Sequence, residues 1–178
     1  MAAMTLLNFK LWMVCCITLV TAKMCLADEI YHFACPPFWV PFQKSCYRIF
    51  GTKLNWAAAE ARCNRHFNGY DMGHLVSLRN EAENKFVSKL WDSSTGGLAA
   101  KSDYTFWIGL TDAGYEGRWV WTNNNQLATY TSWHKNQPDN YQNEDCAHQW
   151  KRDPNLGTWN DYPCTAELFY VCELPQNK

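Results

Sequence analysis

The sequence contains no hydrophobic run long enough to cross a bilayer. Its leading apolar stretch, Leu11 to Ala22, has twelve residues, against the roughly 20 that a spanning helix needs. There is no Asn-x-Ser/Thr glycan acceptor, Pro-rich linker, internal repeat or apolar heptad, which excludes solenoid arrays and coiled-coil stalks. Charge of one sign is also missing. Sixteen Lys plus Arg stand against seventeen Asp plus Glu, and the basic residues are scattered. No electrostatic footprint for nucleic acid results.

What is present is one domain's worth of chain. In 178 residues, 47% are hydrophobic, which is ordinary for a globular protein with a core. Nine cysteines and ten tryptophans are the unusual counts. The cysteines point to an oxidising compartment, and the tryptophans suit a turn-rich fold stiffened by large buried rings.

Residues 1–27 read as a secretory signal peptide. Lys10 precedes the apolar stretch, Lys23 follows it, and small residues offer cuts after Ala22 or after Ala27. Loss of 1–27 removes two lysines and no acids, leaving 14 basic to 17 acidic groups, a charge of −3. It also removes Cys15, Cys16 and Cys25, so that Cys35, Cys46, Cys63, Cys146, Cys164 and Cys172 remain. Six cysteines allow fifteen pairings, and spacing does not choose among them. A cut after Ala22 leaves Cys25 as an odd thiol able to link two chains. The protein is expected to be secreted and extracellular, with 28–34 a short N-terminal segment, 35–174 the domain and 175–178 a tail.

Within the domain, Cys35 to Cys46 holds three prolines between two cysteines and reads as a small disulfide-closed hairpin or loop. Cys46–Phe50 alternates as a strand. Asn55 caps a helix over Trp56–Cys63. Asn80 with Glu83 makes a capping box for a second helix, with Ala82, Phe86, Val87 and Leu90 as its apolar stripe. Phe106–Leu110, Arg118–Trp121 and Phe169–Cys172 read as strands of a mainly antiparallel sheet. Residues 122–165 show much polarity and little periodicity. A stretch of that length needs an organiser: a metal ion, packing of Trp133, Trp150 and Trp159, or both.

The same stretch carries the chemistry. Gln137 to Cys146 supplies three carboxylates and several amides, Asn160-Asp161 adds one of each, and Asp112 and Glu116 flank an upstream turn. Carboxylate and amide oxygens without a neighbouring imidazole or thiolate suit a hard cation such as Ca²⁺. Asp, Asn and Gly are equally the residues of solvated turns. The EF-hand loop pattern is absent, and Asp153-x-Asn155-x-Gly157 reads as a turn.

Trp107-Ile108-Gly109-Leu110, Gln137-Pro138-Asp139, Glu144-Asp145-Cys146, Trp159-Asn160-Asp161 and the series Cys63, Cys146, Cys164, Cys172 resemble the C-type lectin domain. The resemblance covers Cys35 to Leu174, and the Cys35/Cys46 pair is similar to the long form of that family. It implies an α+β C-type lectin fold with two helices, small antiparallel sheets and a long calcium-organised loop region. It also implies three disulfides, Cys35–Cys46, Cys63–Cys172 and Cys146–Cys164.

Carried over by motif, the primary Ca²⁺ ligands are Gln137, Asp139, Glu144, Asn160 and Asp161. A second Ca²⁺ takes Asp112, Glu116, Asn140 and Asp145 and shares Glu144; Asn140 stands where the family often has Asp. Sugar hydroxyls meet Gln137, Asp139, Glu144 and Asn160, and Tyr141 offers an aromatic wall where galactose-binding members usually carry Trp. The Gln-Pro-Asp order implies galactose or N-acetylgalactosamine rather than mannose, although the glycine-rich loop that helps exclude mannose is lacking. Pro138 matches a proline that is cis in calcium-bound members. The implied partners are glycans on cell or microbial surfaces, in innate immune recognition or agglutination; homo-oligomerisation uses the domain surface or a retained Cys25, or does not occur, and the sequence does not choose.

Two other classes compete. Glu144, Asp145 and Asp161 invite a glycosidase reading, but ionised metal ligands cannot donate protons. His32, His66, His74, His134 and His148 have no nucleophile beside them in sequence, so each reads as a surface or packing residue and the chain as no enzyme. The alternative is a lectin-like domain turned to a protein, ice or mineral surface. All five primary positions retain oxygen donors, which favours the sugar.

Overall fold

The computed structural model describes residues 35–96, 105–150 and 157–176. The expectations for the leader, its two cuts, Cys25, residues 28–34, and Asp153 and Asn155 lie outside them. Among the described residues, ten strands and helices follow in order. They are β1 (Val40–Phe42), β2 (Ser45–Leu54), α1 (Trp56–Cys63), β3 (His74–Leu75), α2 (Glu81–Ser94), β4 (Phe106–Thr111), β5 (Val120–Trp121), β6 (Cys146–Trp150), β7 (Thr158–Tyr162) and β8 (Leu168–Pro175).

The strands join in one hydrogen-bonded network, ordered β1-β2-β8-β4-β6-β7, with β3 on β8 and β5 on β4. All pairs are antiparallel except β4 with β8. The hairpin expected at Cys35–Cys46 is formed by β1 and β2, and a disulfide closes it. Strand β2 outruns the alternating segment Cys46–Phe50, because β8 offers it backbone partners from Ser45↔Pro175 to Leu54↔Leu168.

Helix α1 starts where the sequence places it. The Asn55 side chain accepts the Ala58 N–H at 2.9 Å, satisfying one of the free donors of a first turn. Its buried face is Ala59 and Cys63. Cys63 is bonded to Cys172 of β8, 109 residues away. On the chain-entropy model such a closure contributes about 4–5 kcal/mol. The third bridge, Cys146–Cys164, ties the start of β6 to the turn after β7.

Helix α2 departs from expectation in two respects. Asn80 caps it, accepting the Glu83 N–H at 2.9 Å. The Glu83 carboxylate, however, reaches past the cap residue to the Arg79 N–H at 2.7 Å. The stripe is also rotated. Ala82 is exposed, Phe86 and Leu90 lie at the margin, and the buried positions are Glu83, Asn84, Val87, Ser88 and Trp91. Buried hydrogen bonds explain the rotation. Asn84 Nδ2 donates to the Gly157 carbonyl at 2.8 Å, and Asn84 Oδ1 accepts Trp159 Nε1–H and Gln149 Nε2–H, both at 3.0 Å. Ser88 Oγ donates to Gln149 Oε1 at 2.9 Å. Gly157 is required here: its φ is +96°, and a Cβ would lie 2.6 Å from Asn84 Nδ2.

The region 122–165 is more regular than its sequence suggests. It contains β6 and β7, paired from Cys146↔Tyr162 to Trp150↔Thr158, whereas β5 is shorter than Arg118–Trp121. Of the two organisers left open, tryptophan packing is observed. Trp159, fully buried, meets Trp121, Tyr130 and Trp133 edge-on at centroid distances of 5.7–5.8 Å, and Trp133 meets Trp119 at 4.7 Å. Trp150 instead packs against His134 at 5.0 Å.

Two outcomes are expected. Asn84→Ala strips partners from three buried polar groups and should lower the unfolding free energy by about 2–4 kcal/mol, measured by urea titration. His148 of β6 is buried, and burial pushes its pKa down to about 3. Below pH 6.5 the unfolded chain takes up a proton that the folded chain refuses, so stability falls as pH drops from 6.5 toward 3. The slope has a ceiling of about 1.4 kcal/mol per pH unit. Urea melts between pH 4 and 7 should show a shallower slope in His148→Gln than in the wild-type protein; equal slopes would refute the assignment.

Candidate functional site

The site is made where the loop 134–145 folds back over β7. Backbone bonds from His134 N–H to the Trp159 carbonyl and from Trp159 N–H to the Ser132 carbonyl, both 2.8 Å, attach the loop to the strand. Its course is tight. Asn136, Asn140, Gln142 and Asn143 have φ between +48° and +70°, and the Gln137–Pro138 peptide is cis. Side-chain amides are suited to such turns because a short polar group tolerates left-handed backbone and bonds locally. Asn140 shows this, its Oδ1 accepting the Glu144 N–H at 2.8 Å.

Asp161 of β7 anchors the loop. Its buried carboxylate accepts the Asp139 N–H at 3.2 Å and the Asn140 N–H at 2.7 Å. Asp139 in turn accepts the Tyr141 N–H and the Gln137 amide, each at 3.2 Å. The result is a convergence of charge. Asp139, Glu144 and Asp161 each present an oxygen, and these oxygens lie within 4.8 Å of one another. Glu144 registers the crowding: burial, then the charges of Asp161 and Asp139, push its pKa up to about 7. Three carboxylates held this close repel one another unless a proton or a cation intervenes.

The remaining expected ligands adjoin this group. Gln137 Oε1 is buried with no hydrogen-bond partner, although its Nε2 donates to Asp139. Asn160 is buried, and its Nδ2 turns inward to His148 Nε2 at 3.1 Å and to the Asp161 carbonyl. All six cysteines among the described residues are in disulfides. The donor set is therefore carboxylate and amide oxygen, which fits a hard divalent cation and not a soft one. Tyr141 stands beside it, 64% exposed.

The second expected set is arranged differently. Among the described residues, Asp112, Glu116 and Asp145 form no further three-carboxylate cluster. Chain donors meet them: Gly117 N–H to Asp112, Asn140 Nδ2 to Glu116 and Asn143 Nδ2 to Asp145, at 2.7–2.8 Å. Asp112 Oδ1 is nonetheless buried without a partner, and burial, with the charges of Glu116 and Asp145, pushes the Asp112 pKa up. His148, read from sequence as a surface or packing residue, stands directly behind Asn160. No sequence signal marks it, because the link is a cross-strand register, His148↔Asn160.

Residues 52–174 match the model of the lectin C-type domain. Over 167 residues the chain is 40% identical to an alpha-N-acetylgalactosamine-specific lectin of Patiria pectinifera, covering 89% of this chain and 94% of that protein. It is 33% identical to a perlucin-like protein of Mytilus galloprovincialis, covering 78% and 81%. Among solved structures, the C-type lectin CEL-I of Cucumaria echinata superposes with a TM-score of 0.71 at 32% identity, covering 80% of this chain and 99% of that one. Motifs in order, three disulfides, the fold and a family match over most of the domain agree: the chain belongs to the C-type lectin family.

Proposed function

We propose that this is a secreted lectin that binds galactose- or N-acetylgalactosamine-type glycans through one Ca²⁺ held by Gln137, Asp139, Glu144, Asn160 and Asp161. The observation that carries the proposal is the convergence of three carboxylates beside the unpartnered Gln137 oxygen. When bound, the cation supplies open coordination positions for two vicinal sugar hydroxyls. The chain's own groups then read the sugar. Carboxylate oxygens of Asp139 and Glu144 and the Asn160 side-chain oxygen accept hydroxyl protons, and the Gln137 amide supplies an N–H partner. Tyr141, exposed beside Asp139, offers a flat face to the apolar C–H side of galactose.

The order Gln137-Pro138-Asp139 and the likeness to an N-acetylgalactosamine-specific lectin support the galactose side. Asp112, Glu116, Asn140 and Asp145, with Glu144 shared, are proposed as a weaker second Ca²⁺ site. The leader-like residues 1–27 support an extracellular setting, in recognition or agglutination of glycan-bearing cells. A single shallow sugar site binds weakly, so that role requires several sites in one assembly.

Retention on galactose-agarose in CaCl₂, and release by a chelator, tests the reading. Asp139→Ala and Asn160→Ala should each abolish retention while leaving the far-ultraviolet circular dichroism unchanged; retention of both would refute the site. The double change Gln137→Glu with Asp139→Asn should move preference toward mannose on paired columns. Persistence of galactose preference in that variant would place selectivity elsewhere.

A further inference from the structure

Strand pairing sets His148 of β6 opposite Asn160 of β7. The imidazole is 4% exposed and enclosed by the rings of Trp107, Trp150 and Tyr162 at centroid distances of 5.2–6.4 Å. Its Nε2 lies 3.1 Å from Asn160 Nδ2, and its Nδ1 is buried with no hydrogen-bond partner. An amide nitrogen can only donate, so Nε2 is the acceptor, and the single proton of the neutral ring sits on Nδ1. An amide carries its donor and acceptor at opposite ends. The Asn160 nitrogen also donates to the Asp161 carbonyl, and fixing it toward His148 turns the Asn160 oxygen away from the ring. The flipped amide would face Nε2 with an oxygen, lone pair against lone pair, and would present N–H donors to any cation.

We propose that His148 is a positioning residue whose unprotonated Nε2 selects the Asn160 amide orientation in which the side-chain oxygen is available to a cation. The inference rests on the calcium reading of Asn160 above. It adds a residue that touches neither ion nor sugar and acts only through Asn160. Partners that orient metal ligands in this way typically affect metal affinity 10–100-fold.

The test is calcium titration calorimetry on the oxidised full domain, comparing wild type, His148→Phe and His148→Gln. Phe preserves an aromatic ring but has no acceptor; Gln supplies a carbonyl acceptor. The expected result is a Kd for Ca²⁺ weakened about 10–100-fold in His148→Phe and within about threefold of wild type in His148→Gln. Circular dichroism in chelator reports whether each variant is folded. Long-range ¹H–¹⁵N spectra of the wild-type imidazole provide a readout independent of any variant, and they should show Nδ1 protonated and Nε2 bare. A folded His148→Phe that binds calcium as wild type does, or a protonated Nε2 in the wild-type ring, overturns the inference. Wild-type protein that takes up no calcium overturns the proposed function and this inference together, so the two failures are distinguishable.

Discussion

The carboxylate of Asp161 accepts the backbone N–H groups of Asp139 and Asn140, and the geometry of the candidate site depends on that pair of bonds. They hold a loop carrying two of the clustered acids against a strand carrying the third. Asp139 and Glu144 are thereby kept near a charge that repels both. With the backbone bonds between His134, Trp159 and Ser132 at the start of the loop, these two N–H donors oppose the mutual repulsion of the three acids.

Such a concentration of like charge needs a stiff base, and the fold supplies one in layers. The Cys146–Cys164 bridge closes the β6–β7 unit. Trp159, two residues before Asp161 on β7, is locked into a cluster of aromatic rings. Asn84 reaches from α2 to the same strands and satisfies three buried polar groups. The cost of crowding the carboxylates is therefore met by apolar burial and satisfied hydrogen bonds elsewhere. An ionic network around β8 plays a parallel part. There, buried Glu173 of β8 accepts from Ser45 Oγ, the Ser77 N–H and Arg79.

Much of this was legible before any coordinates. The Asn55 and Asn80 caps are local events, written in a few adjacent residues, and both helices begin where those residues say. Regular structure in 122–165 was not legible. Cys146-Ala147-His148-Gln149-Trp150 lacks apolar alternation, because its polar members are buried and bonded to other elements rather than turned to water. The buried face of α2 was misjudged for the same reason: Asn84 and Ser88 look like surface residues until Gly157 and Gln149 are brought to them.

Residue types in order, and the resemblance they carry, determined on their own that oxygens suited to a hard cation gather in one loop region, and which cysteines pair in a family-like scaffold. Chain chemistry is a local property, so it survives in one dimension. Only the tertiary structure decided that Asp139, Glu144 and Asp161 converge while Asp112, Glu116 and Asp145 are met by chain donors. It alone placed a buried imidazole behind Asn160. Those outcomes depend on strand register and loop path, which bring together residues far apart in sequence, and no local pattern encodes the distance between them.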